Sequence, residues 1–125
     1  MTPEVAAWIL RGALAAAFIA MGIAHFVPSV GRTMGAMIPP ALRWPSAKAV
    51  VWFTGVCEIA GGIGLLVPWT RFAAAIALVA FLIAVFPANA RAADDPKRFG
   101  RAAIPFWPRY LGQLALIALV LVAGV

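Results

Sequence analysis

Apolar residues run along this chain in four long stretches separated by short polar or proline-rich connections, the pattern of helices that cross a lipid bilayer. A hydrocarbon core about 30 Å thick and a helical rise of about 1.5 Å per residue require roughly 20 largely apolar residues per span. The first stretch opens on Thr2, Pro3 and Glu4: an N-cap, a first-turn proline and an acid that suits the helix dipole. It predicts a helix over 3–27, stopped by Pro28. Glu4 stands where a secretory signal would carry positive charge, and the apolar run from Val5 to Val27 exceeds a signal's hydrophobic region, so the segment reads as a mature helix. Ser46 caps a second helix over 46–67, ended by Pro68. After the tight turn P-W-T-R, a third helix over 71–90 must pass through Pro87 to be long enough to span. Asn89 is placed to help satisfy the carbonyl that Pro87 leaves without a donor. A fourth helix runs over 109–125. The expected fold is an all-α membrane protein, one antiparallel bundle of four transmembrane helices forming a single domain over 1–125.

The connections differ in character. The first, 28–45, carries Met34, Met37, Ile38 and Leu42, and is expected to lie in the membrane interface or fold back on the bundle. The third, with Arg91, Asp94, Asp95, Lys97, Arg98 and Arg101, is the most water-exposed segment by composition.

Composition sharpens this picture. Of 125 residues, 65% are hydrophobic and 11% charged, against about a quarter charged in soluble domains. Four spans and three loops use up these 125 residues, so no separate soluble catalytic domain is expected within them. The net charge of +6 sits in the connections, so anionic lipid headgroups rather than nucleic acid are the expected partner. Arg32, Arg43, Lys48, Arg91, Lys97, Arg98, Arg101 and Arg109 fall on one side of the bundle, and only Arg11 and Arg71 toward the other. The positive-inside rule then puts loops one and three in the cytoplasm and both termini outside, as in a multi-pass protein of the bacterial inner membrane. Trp8 and Trp69 would belt the outer interface, and Trp44, Trp107 and Tyr110 the inner one.

Candidate chemistry is sparse. The single Cys57 cannot form an internal disulfide or a CxxC pair and reads as a small packing residue. The single histidine excludes a bis-histidine haem within one protomer, and no cluster of metal ligands exists in the sequence. No intrinsic cofactor is expected, and a redox role would use a lipid-soluble carrier such as a quinone. Ionisable groups inside spans are costly and mark a function or a structural pairing. Measured from the helix ends, Arg11 and Glu58 sit at similar depth. They suggest a buried ion pair, with two alternatives: Glu58 as a proton-titrating or ligand-binding carboxylate, and Arg11 reaching outward alone. Toward the cytoplasm, His25, Thr54, Asn89 and Gln113 contribute one polar side chain from each helix and would form either a polar pocket or interhelical hydrogen bonds. Small residues at Gly12, Ala16 and Ala20, and at Gly55, Gly61, Gly62 and Gly64, read as close-packing faces.

The segments G-I-A-H-F-V-P at 22–28, M-I-P-P-A-L at 37–42, T-G-V-C-E-I-A-G-G-I-G-L-L-V-P at 54–68 and F-P-A-N at 86–89, together with Gln113, resemble the DoxX family of small four-helix membrane proteins. Arg11, His25 with Phe26, Glu58 and Asn89 match that family's pattern. The resemblance implies a bundle whose relatives include a subunit associated with thiosulfate:quinone oxidoreduction, members linked with oxidative-stress complexes, and an animal group that assists receptor assembly. It leaves the reaction open. Three functions follow as expectations. The first is an accessory protein, not expected to be catalytic alone because no full catalytic constellation is present, that binds a lipid-like or quinone-like molecule or a membrane-protein partner, a second copy included. The second is a membrane subunit of a quinone-linked oxidoreductase. The third is a small proton-coupled exporter, disfavoured because its carboxylate lies in helix 2 and its charge bias fixes one orientation. The topology has a direct check: a reporter fused beside Asp94 should be active in the cytoplasm, and a periplasmic signal there would overturn the charge argument.

Overall fold

The structure, a computed structural model, describes residues 1–93 and 105–125. Its helices are α1 (Pro3–Ala24), α2 (Pro28–Met37), α3 (Ala47–Leu66), α4 (Arg71–Ala93) and α5 (Phe106–Gly124), with a short 3-10 turn at Pro40–Leu42. No strand occurs among the described residues. α1, α3, α4 and α5 are each long and apolar enough to cross a membrane. Asp94, Asp95, Lys97, Arg98 and Arg101, expected in the most water-exposed connection, lie outside the described residues.

Local signals set most helix ends. The Thr2 hydroxyl accepts from the Val5 amide and the Ser46 hydroxyl from the Ala49 amide, each at 3.1 Å. α1 ends at Ala24 instead of 27, since the residue before Pro28 must be extended and Val27 has φ −75° and ψ 122°. α4 runs through Pro87 to Ala93, beyond the expected end at 90. α5 starts at Phe106 rather than 109: Pro108 falls in the first turn, where the helical ladder requires no amide.

The first connection folds back on the bundle as α2, which packs on α3 and α4. Met37 and Ile38 are buried, with Met37 beside Ala92 of α4. Arg43 donates from Nε to the Ile38 carbonyl at 2.8 Å and from a terminal nitrogen to the Ala36 carbonyl at 3.1 Å. Arg91 donates to the same Ile38 carbonyl at 3.0 Å. Two cations counted toward headgroups are thus engaged in closing the C-terminal end of α2, where carbonyls lack helical partners.

α1 packs on α3, α3 on α4, and α4 on α5. Backbone touches backbone between α1 and α3. A methyl group on Gly22 would lie 2.7 Å from the Gly55 carbonyl oxygen, and one on Gly62 would lie 3.1 Å from the Ala15 carbonyl oxygen. The main apolar core, including Leu14, Phe18, Leu65, Leu78 and Val120, gathers toward one end of the bundle. Gly22→Ala should therefore destabilise the protein by about 1–3 kcal/mol through overpacking, while Gly12→Ala, with open space at its Cβ, should be nearly neutral. Thermal unfolding of the two variants in detergent, followed by circular dichroism, checks the contrast.

Candidate functional site

Beside that core, with Ala74 and Leu82 common to both, α3 and α4 flank a cleft of about 1760 Å³ that is lined at one end by α2 and the last turn of α1. On α4 its wall is Ala73, Ala77, Ala80 and Ala84, spaced three and four apart on one helical face. On α3 the same spacing places Thr54, Cys57, Glu58, Gly61 and Gly64 on the cleft side. The walls are mainly apolar, and Phe53, Ile63, Phe81 and Leu82 line them as well. Polar groups collect near the α2 end: His25, Thr54, Glu58, Asn89 and Arg109.

Glu58 and His25 are the buried ionisable pair of this site, 7% and 8% exposed. Gly55 makes their meeting feasible: a methyl group there would lie 2.8 Å from the His25 Cβ, so only a glycine leaves room for the imidazole against α3. One helical turn later on the same face stands Glu58. The His25 Nδ1–H donates to the Met21 carbonyl at 2.7 Å, which a carbonyl's acceptor-only chemistry requires. Glu58 Oε2 is 3.5 Å from that same nitrogen. Because the single hydrogen on Nδ1 is directed at Met21, Oε2 receives no hydrogen bond and is buried without a partner. A buried oxygen left in this way costs about 1–3 kcal/mol, more when charged. The Thr54 hydroxyl donates to the Val51 carbonyl of its own helix at 2.9 Å.

The expected Arg11–Glu58 pair does not form. Arg11 Nε donates to the Ala123 carbonyl at 2.9 Å and a terminal nitrogen to the Val125 oxygen at 3.1 Å, so Arg11 ties α1 to the end of α5. Its guanidinium also lies 5.0 Å from the Trp8 ring centroid, and that of Arg71 lies at 5.0 Å from the same ring. The expectation failed on register. With Gly22 beside Gly55 and Ile59, Glu58 lies level with Gly22, about three helical turns from Arg11. α1 reaches well past the level at which α3 ends, so equal distances from helix ends do not mean equal depth.

Of the polar set expected at the cytoplasmic end, His25, Thr54 and Asn89 line the cleft with Glu58, and Gln113 does not. Sequence reasoning missed Arg109, Ser29 and Thr33 as lining residues. Pro28 and Pro39, which bracket α2, were the available signal that the first connection is helical and supplies a wall. Cys57, read as a packing residue, also lines the cleft.

A family model described as a domain of unknown function, DUF8561, matches residues 14–123, most of the chain. No curated protein and no solved structure matches it.

The corrected pairing has a measurable consequence. In a double-mutant cycle, Arg11→Gln and Glu58→Gln should add to within about 0.5 kcal/mol, as distant sites do. His25→Gln and Glu58→Gln should deviate from additivity by more than that. Coupling between Arg11 and Glu58 in unfolding measurements would restore the original pair.

Proposed function

We propose that this chain, which belongs to the DUF8561 family, is a multi-pass membrane protein that binds an amphipathic, lipid-like or quinone-like molecule in the cleft between α3 and α4. Membrane placement is supported by the large apolar side chains left exposed around the helices, among them Ile9, Ile63, Phe72 and Val122, which water would not tolerate in such number. Contacts run in opposite order along neighbouring helices: Gly22 meets Ile59 while Gly62 meets Ile19, and Gly61 meets Leu78 while Gly64 meets Ala74. That order supports an antiparallel bundle with both termini on one side, outside the cytoplasm by the charge bias of a bacterial inner-membrane protein.

The observation that carries the ligand reading is Glu58 Oε2, buried in the wall of an apolar cleft without a hydrogen-bond partner. A carboxylate oxygen used only to hold the bundle would be bonded within it. Glu58 also lines the cleft, so a donor that enters it, such as the hydroxyl of a ligand's polar head, would satisfy that oxygen on a small rotation of the carboxyl. The alanine and glycine walls accommodate an extended apolar tail, and a few convergent polar groups in a mainly apolar hollow suit small-molecule binding. Within this reading, the DoxX-type residues His25, Glu58 and Asn89 form the polar end of one ligand site.

The test is what the protein retains on purification. Organic extracts of the wild-type protein, solubilised in mild detergent, should contain an amphipathic molecule enriched over bulk lipid by mass spectrometry. Glu58→Leu should lower that enrichment by about tenfold or more, the worth of a hydrogen bond to a charged group. The same variant should melt no lower than wild type, because it removes an unsatisfied buried acceptor. A large drop in melting temperature with retention unchanged would instead make Glu58 a packing residue.

A further inference from the structure

A second hollow, of about 680 Å³, lies between α2 and the first turns of α3, and His25 belongs to its wall as well as to the cleft's. Arg32 from α2, Arg43 from the segment after the 3-10 turn, and Lys48 from the first turn of α3 line it. No acidic side chain is among its described lining residues. Three cations around one cavity repel each other, an arrangement that favours an anion between them. The fold holds two of them in place. Arg43 is anchored by its bonds to the Ala36 and Ile38 carbonyls, which use two of the five N–H donors of a guanidinium. Lys48 is held with its ammonium 4.7 Å from the centre of the Trp52 ring.

The cavity's rim is apolar where its walls are basic. Phe26 and Trp52 contact each other at a centroid distance of 5.8 Å, and both are about half exposed. Gly31 and Gly35 line the α2 side, and a methyl group on Gly31 would lie 2.9 Å from the His25 carbonyl oxygen. The start of α3, with Ser46 as its cap, also borders this space and adds the positive end of a helix.

We propose that this cavity binds the phosphate of an anionic lipid headgroup, with Arg32, Arg43 and Lys48 as its donors and Phe26 and Trp52 flanking the attached acyl chains. Arginine and lysine together suit a phosphate ester, the first by its forked donors and the second as a point charge. The aromatic rim distinguishes a lipid from free phosphate, which would gain nothing from it. The assignment rests on the membrane placement proposed above and is independent of what fills the cleft.

The test is native mass spectrometry of the full chain in micelles doped with equimolar phosphatidylglycerol and phosphatidylcholine, with inorganic phosphate in a parallel arm. Wild type should retain phosphatidylglycerol preferentially. Arg32→Gln and Lys48→Gln, both at exposed positions that the fold tolerates, should each lower the preference about fivefold, the expected worth of one cation near an anionic surface. The charge-conserving swaps Arg32→Lys and Lys48→Arg should keep it. Arg71→Gln, which removes a charge outside the cavity, should leave it unchanged. Equal retention of the two lipids, or a preference that survives in the Arg32→Gln, Lys48→Gln double variant, would overturn the assignment. So would binding of inorganic phosphate that abolishes lipid selectivity, which would make the site one for free phosphate. Membrane placement is checked separately: a chain released from membranes by alkaline carbonate fails that placement, while one that stays embedded and takes both lipids equally fails only the headgroup site.

Discussion

The direct backbone approach of α1 and α3 governs the geometry of this protein. Helices in lipid gain little from burying apolar surface against each other, because the surrounding tails are as apolar as a leucine, so their association depends on close packing. Gly22, Gly55 and Gly62 provide it by bringing carbonyl oxygens against the facing helix with no side chain between. The same contact determines what can happen chemically. It sets the register of α1 against α3, and the gap at Gly55 seats His25 beside the face that carries Glu58.

A division of labour along the bundle follows from that register. Toward the end where Arg11 reaches the last carbonyls of α5, side chains from α1, α3, α4 and α5 close into a core. Toward the other end α2 folds in and supplies a wall of the cleft. Arg43 and Arg91 hold α2 there through backbone carbonyls. An aromatic group of Phe86, Phe106 and Tyr110, with ring centroids 5.8–5.9 Å apart, joins α4 to α5 at the level where α5 begins. The cleft runs along α3 and α4 from the turn that joins them to the level of α2, which closes its other end.

His25 stands where the two hollows meet. On one side is an apolar cleft with an unpartnered carboxyl oxygen, on the other a small basic cavity with an aromatic rim. The imidazole is held by the Met21 carbonyl rather than by Glu58, which leaves Oε2 buried without a hydrogen-bond partner. An apolar site bordered by a cationic one matches the anatomy of an amphipathic environment, in which tails and headgroups occupy separate layers.

Much of this was legible in the sequence, for identifiable reasons. Four apolar runs, the caps at Thr2 and Ser46, and the stops at Pro28 and Pro68 act over a few residues, so the four long helices and most of their ends could be read directly. The cost of ionisable groups in apolar segments likewise singled out Arg11, His25 and Glu58 before any of their neighbours were known. Which of them meet was not legible. Pairing depends on how far one helix slides along another, and that offset is decided by where glycine backbones touch, a property of two segments more than thirty residues apart. A few turns of offset moved Arg11 from Glu58 to the end of α5 and gave Glu58 the imidazole of His25 as its neighbour. Residue types and helix spans were set by local sequence; the partners of the polar residues, and the cavities they line, were decided by tertiary register alone.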